Sequence, residues 1–260
     1  MDVLFLPAII FALYQWFRSY SALIRVRQFR PNATYRAIYA ALPFFCIQLV
    51  VVVLLNWSSP DVRSDAGWIV WYTIGGAAWL QLGLFVLSLL GVAARDDVLE
   101  RQNPAAAWVV YGAMIATTFC YAGSNIGGGP GPEVVLFCAT LSTTFLFGFW
   151  FVLERVFHLA DRVTIERDES AGIRIGGWMV SLGLIFGGAV AGSWVSVEGT
   201  IRDFFRYAWI AFLLLLGGMA IEKACNSSSK RDNLHRSASV TVAFLYLLAA
   251  AGYLAWRGVY

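Results

Sequence analysis

Apolar runs alternate with short polar stretches along the whole chain. Eight apolar segments stand out, at about residues 3–17, 38–56, 68–92, 105–123, 134–153, 175–194, 207–221 and 240–256. Each is expected to be helical, because hydrocarbon offers no partner to an open backbone group. The first and seventh are short, and extension into neighbouring residues or a thinner bilayer accommodates them. The pattern predicts an all-α membrane protein of eight transmembrane helices. The chain has 260 residues, of which 59% are hydrophobic and only 13% charged. A soluble domain carries about 25% charge. This composition excludes a soluble globule, a disordered chain, a collagen-like fibre and a disulfide-stapled secreted domain.

The basic residues set the expected orientation. Fifteen of the nineteen lie in loops one, three, five and seven, from Arg18 to Arg36, at Arg95 and Arg101, from Arg155 to Arg174, and from Lys223 to Arg236. The other side holds Arg63, Arg202, Arg206 and Arg257. The positive-inside rule then places both termini outside the cytoplasm, which fits an even number of spans. The N-terminal segment reads as a retained first helix, since Asp2 stands where a signal peptide would be basic. Net charge is +3, too small to point to nucleic acid. Trp16, Trp57, Trp68, Trp71, Trp194 and Trp256 fall near segment ends, as interfacial anchors do.

The polar loops resemble one another. Glu100-Arg101 and Glu166-Arg167 precede the fourth and sixth segments at an offset of 66, and Glu154-Arg155 and Glu222-Lys223 end the fifth and seventh. Asn32, Asn103, Glu169 and Asn233 recur at similar spacing, with Asn103 the candidate cap of the repeat. Four tandem hairpin units follow, at about 1–60, 61–126, 127–196 and 197–260. All have the same orientation, an arrangement also found in parallel-repeat transporters. The run Gln102-Asn103-Pro104-Ala105-Ala106-Ala107 resembles the cap of the YjfL-like bacterial inner-membrane proteins, which reads Gly-Asn-x-Ala-Ala-Ala. The leading Gly is Gln here, and the second copy, Asp168-Glu169-Ser170-Ala171-Gly172, has Glu in place of Asn. The resemblance covers roughly residues 70–223. It implies a repeated two-helix domain of unknown function and a multi-pass protein of the bacterial inner (plasma) membrane.

Three sets of residues are candidates for function. Glu100, Arg101, Glu154, Arg155, Glu166, Arg167, Glu169, Glu222 and Lys223 should all lie at the inner interface, where a ring of such charges filters ions or holds a lipid head group. The plainer reading is ordinary helix-end charge that suits the helix dipoles. Gln48, Gln81, Thr117, Thr118, Thr140, Ser142, Thr143 and Thr144 put polar groups near mid-membrane, where they bond between helices or line a wet path. Gly176, Gly183, Gly187, Gly188 and Gly192 give small-xxx-small spacings for close helix packing.

No Asp, Glu, Lys, Arg or His falls at the centre of a predicted helix, which argues against a carboxylate-based pump. The two lysines, Lys223 and Lys230, lie in the loops, and no triad or metal-ligand spacing is present. No catalytic residue, metal or cofactor is expected. Cys46, Cys120 and Cys138 read as small core residues, and Cys225 borders a polar loop. The expected partners are membrane lipids and a homo-oligomer or larger membrane complex. Two functional classes stay open: a channel-like or transport-like bundle, and an accessory or envelope-stress membrane subunit that recruits partners through its cytoplasmic loops.

Overall fold

The computed structural model describes residues 2–29, 34–129, 131–227 and 236–258. Among them the fold is all-α, with one isolated bridge between Ser58 and Gly127. The long helices are α1 (Asp2–Phe29), α2 (Thr34–Trp57), α4 (Ala66–Leu89), α5 (Pro104–Ser124), α6 (Pro132–Phe157), α8 (Glu169–Val190), α9 (Val197–Ser227) and α10 (Arg236–Arg257). The short helices α3 (Pro60–Arg63) and α7 (Leu159–Thr164) and a π-helix, Ala94–Glu100, fill three of the connections. Seven helices, from α2 to α10 without α3 and α7, are long and apolar enough to cross a membrane. The protein is therefore a multi-pass helical membrane protein.

Helix starts follow local chemistry. Pro104 and Pro132 occupy first-turn positions, where the missing N–H costs nothing. Asp65, Asn103 and Asp168 cap α4, α5 and α8 through their side-chain oxygens. Several sequence boundaries shift. The third segment ends at Leu89, before Gly91 turns the chain with φ of 97°. Helices α1 and α9 run well past the apolar runs that predict them, α9 by nearly three turns at its start and almost two at its end. Asn32 and Asn233 lie outside the described residues.

α5 and α8 form the centre of the bundle. α2 and α4 cover α5, α9 and α10 cover α8, and α6 packs against both central helices. The reason is glycine. A Cβ on Gly112 would come 2.5 Å from the Gly176 carbonyl oxygen, and one on Gly176 would come 2.5 Å from that of Trp108. Gly123, Gly172, Gly183 and Gly187 make equally close backbone approaches along the same seam. Side chains are absent from this line of contact, so the two helices touch main chain to main chain. Gly188 instead faces Leu254 of α10. Gly192 lies beyond the end of α8, in a turn with φ of 140°, and is not a packing residue. Outward faces of α9 and α10 expose Trp209, Phe212, Leu213 and Leu216, and Phe244, Leu245 and Leu248, a surface suited to lipid.

The helices alternate in direction, so the connections gather at two ends. One, the glycine-rich end, carries segment 125–129. It is stitched by backbone bonds from Gly127 N to Trp57 O (3.0 Å), Gly192 N to Ile126 O (3.1 Å) and Trp194 N to Gly128 O (2.7 Å). Gly127, at φ of 99°, lies so close to Gly192 that a side chain there would strike backbone. The opposite, charged end carries the π-helix, α7 and the caps of α5 and α8.

Candidate functional site

Charge collects at one end, and the structure divides it into separate groups rather than one ring. The largest is buried. Arg174 donates from Nε and Nη2 to the two carboxylate oxygens of Glu222, at 2.8 and 3.0 Å, a bidentate pair. Its Nη1 donates to Ser239 Oγ at 3.0 Å. Arg162 donates to Glu222 Oε2 (2.9 Å) and to Asp168 Oδ2 (2.8 Å), while Asp168 Oδ1 caps α8 through Ala171 N. The side chains of Arg174 and Glu222 are 2% and 4% exposed. Two cations and two anions thus tie α7, α8, α9 and α10 together.

Sequence reasoning named Glu222 and missed its partners. Arg174 stands in the expected fifth loop, because the apolar run begins one residue later. The Asp168 cap starts α8 at Glu169, which carries Arg174 one and a half turns into the helix. A capping residue just before charged first-turn residues was the available signal.

The other candidates sit at the same end in local pairs. Glu100 accepts from Arg95 Nε (3.0 Å). Arg101 donates to Asp97 (3.1 Å), and its own carbonyl accepts from Arg167 Nη2 (2.8 Å). Asp97 is buried and also accepts from Ala93 N, which fixes the π-helix. Glu154 accepts from Ala160 N and so stiffens the α6–α7 corner. Arg155 lies over the Phe151 ring. Glu169 accepts from Trp108 Nε1 and Arg236 Nη2, both at 3.2 Å. Glu166 and Lys223 are exposed.

Asn103 is wholly buried. Its Oδ1 accepts from Ala105 N and Ala106 N, and its Nδ2 donates to Val163 O at 2.7 Å, across to the end of α7. Gln102, before it, has φ of 51°, and Arg167, before Asp168, has φ of 57°. Both are in the left-handed region that favours glycine, which accounts for a Gly at this place in the motif that Gln102-Asn103 resembles. The two caps correct the sequence register: Asp168, not Glu169, occupies the place of Asn103.

Of the mid-membrane polar residues, Gln48 is exposed and Thr143 accepts from Trp79 Nε1 (3.0 Å). Thr118 and Ser142 return their hydroxyls to their own helices. Gln81 Nε2 and Thr117 Oγ1 are buried without a hydrogen-bond partner among the described residues. Thr117 lies against Gly83 at the α4–α5 contact.

The family model of a domain of unknown function, DUF350, matches residues 125–255. The match takes in α6 to α10, including every member of the buried ion network. It reaches further toward the C-terminus than the stretch that carries the sequence resemblance. No curated protein and no solved structure matches the chain.

Proposed function

Because the chain belongs to the DUF350 family, a family of unknown function, we propose that it is a solid membrane bundle serving as an accessory subunit, with its charged end as the docking face for partners. The observation that carries this reading is the main-chain contact of α5 with α8. A conduit along the bundle axis needs a gap lined by polar groups or hydrated backbone. Here two glycine-seamed helices fill that axis, flanked by Val109, Val110, Met114, Met179, Leu182 and Ile185, all fully buried. A filter at the inner mouth would also need charges free to meet an ion. Arg162, Arg174, Asp168 and Glu222 instead satisfy one another.

In this reading the chain makes eight spans in four hairpins of one orientation. Support comes from bonds that link residues about one hairpin apart, including Trp16 to Ala77, Trp79 to Thr143, Asn103 to Val163 and Arg174 to Ser239, with separations of 61, 64, 60 and 65 residues. The 28-residue α1 supplies the eighth span. The arginine distribution puts both termini outside, and the resemblance to YjfL-like proteins points to the bacterial inner membrane. Lipid surrounds the bundle, and a larger membrane complex supplies the partner.

Purified protein in a planar bilayer tests this. The expected result is a silent membrane at all potentials, with folding and insertion verified by circular dichroism and protease protection. Reproducible, ion-selective unitary current would overturn the accessory reading in favour of a channel.

A further inference from the structure

At the glycine-rich end the hairpin tips border a half-open cavity of about 110 Å³. It is bounded by segment 125–129, by Ser58 and Ser59, by the end of α8 with Trp194, and by α9 at Thr200, Asp203 and Tyr207. The rim is preformed, because the three backbone bonds around Gly127 and Gly192 hold it from both sides. This site lies at the opposite end of the bundle from the ion network and does not depend on the accessory reading.

Charge among the wall side chains has one sign, and the first turns of α6 and α9 also border the cavity. Among the lining residues Asp203 is the one carboxylate, and none is Arg, Lys or His. Among the described residues no hydrogen bond or ion pair engages the Asp203 carboxylate, and the hydroxyls of Ser59 and Thr200 are likewise unengaged. Helix α8 ends here: Ala191 leaves the helix with ψ of 131°. Among the described residues the carbonyls of Ala189 and Val190, both lining residues, therefore accept no hydrogen bond from the backbone that follows. A helix C-terminus carries partial negative charge. Tyr72, Tyr207 and Trp194 add aromatic walls. Two cations stand against the Tyr207 ring. Arg257 lies 3.5 Å from the Tyr207 ring centroid and donates to Gly188 O, and Arg206 is 5.6 Å from the same ring.

A carboxylate, open carbonyls, hydroxyls and aromatic rings are the elements of an ammonium site. The volume is well above the roughly 10–15 Å³ that a single water needs, and more than a bare metal ion fills. We propose that this cavity binds a small alkylammonium group of the ethanolamine class, with the ammonium on Asp203 and the carbonyl end of α8. The group has two natural sources, a free amine in solution and a phospholipid head group at the membrane surface.

Titration calorimetry with ethanolamine on the detergent-purified full chain tests the proposal, alongside native mass spectrometry from nanodiscs of phosphatidylethanolamine mixed with phosphatidylglycerol. Asp203→Asn should weaken binding at least tenfold. Thr200→Trp, which fills the cavity and leaves the charge in place, should do the same. Glu198→Gln, an exposed acid at the same end, should bind as the parent does. Saturable ethanolamine binding with this pattern supports a free-amine ligand. Asp203-dependent retention of phosphatidylethanolamine over phosphatidylglycerol, without binding of the free amine, supports the head group. Absence of both, or binding indifferent to Asp203 and Thr200, would overturn the proposal.

Discussion

Replacing Glu222 with alanine is expected to destabilise the folded bundle by about 3–5 kcal/mol, because Arg174 becomes an uncompensated buried charge, whereas Arg174→Ala should cost less, because Glu222 keeps Arg162 as a partner. The pair is bidentate and almost fully buried, so solvent does little to relieve the loss. Glu222→Ala also releases Arg162, which loosens α9, and Arg174→Ala releases Ser239, which loosens α10 from α8. The double replacement Arg174→Met/Glu222→Leu should restore most of the stability. It removes both charges and refills their volume, and Arg162 keeps Asp168 as partner. Thermal unfolding in detergent, or steric trapping in bicelles, measures all three variants. A double variant as unstable as the worse single variant would mean that the network contributes more than charge pairing.

Leucine at Gly112 or Gly176 should abolish the fold. Even alanine there should cost about 1–3 kcal/mol, the range for overpacking a tight interior. The added Cβ meets backbone of the facing helix, which has no rotamer to move aside. Gly148→Ala and Gly217→Ala provide the contrast. Nothing lies within 4 Å of either new Cβ, so the better helix propensity of alanine should leave stability unchanged or raise it by up to about 1 kcal/mol. Melting temperatures of the four alanine variants separate seam glycines from the rest. Equal shifts at all four positions would remove the seam as the organising contact.

Much of this architecture is legible in the apolar runs, and the exceptions have physical causes. The runs mark where lipid or core must be met, so they locate the long helices. They cannot register a buried charge, and this is how Arg174 falls into a loop on the sequence reading. Its cost is cancelled by Glu222, 48 residues away, a pairing no local pattern records. The glycines of α8 announce close packing through their spacing. That α5 is the neighbour, and that Gly188 faces α10 instead, depends on helix rotation. Asn103 caps α5 and Asp168 caps α8, each after a residue in the left-handed turn, a conformation that no local sequence pattern records. The π-helix was hidden because its pin, Asp97, lies in a charged stretch that looks solvated. The ammonium cavity leaves little trace in the sequence, since Ser59, Val190 and Asp203 come from three different hairpins.

Access of water to the α5–α8 seam decides between a filled and a conducting bundle. Val110, Met114, Leu182 and Ile185, all fully buried, can each be changed to cysteine and treated with a charged thiosulfonate reagent from either side of sealed vesicles. Lys223→Cys and Ser196→Cys, at exposed positions, serve as reactive references. The seam positions should stay unmodified under conditions that label both references completely. Modification of several seam positions at helical spacing would contradict the account, because a reagent that reaches them requires a water path where α5 and α8 are described as touching.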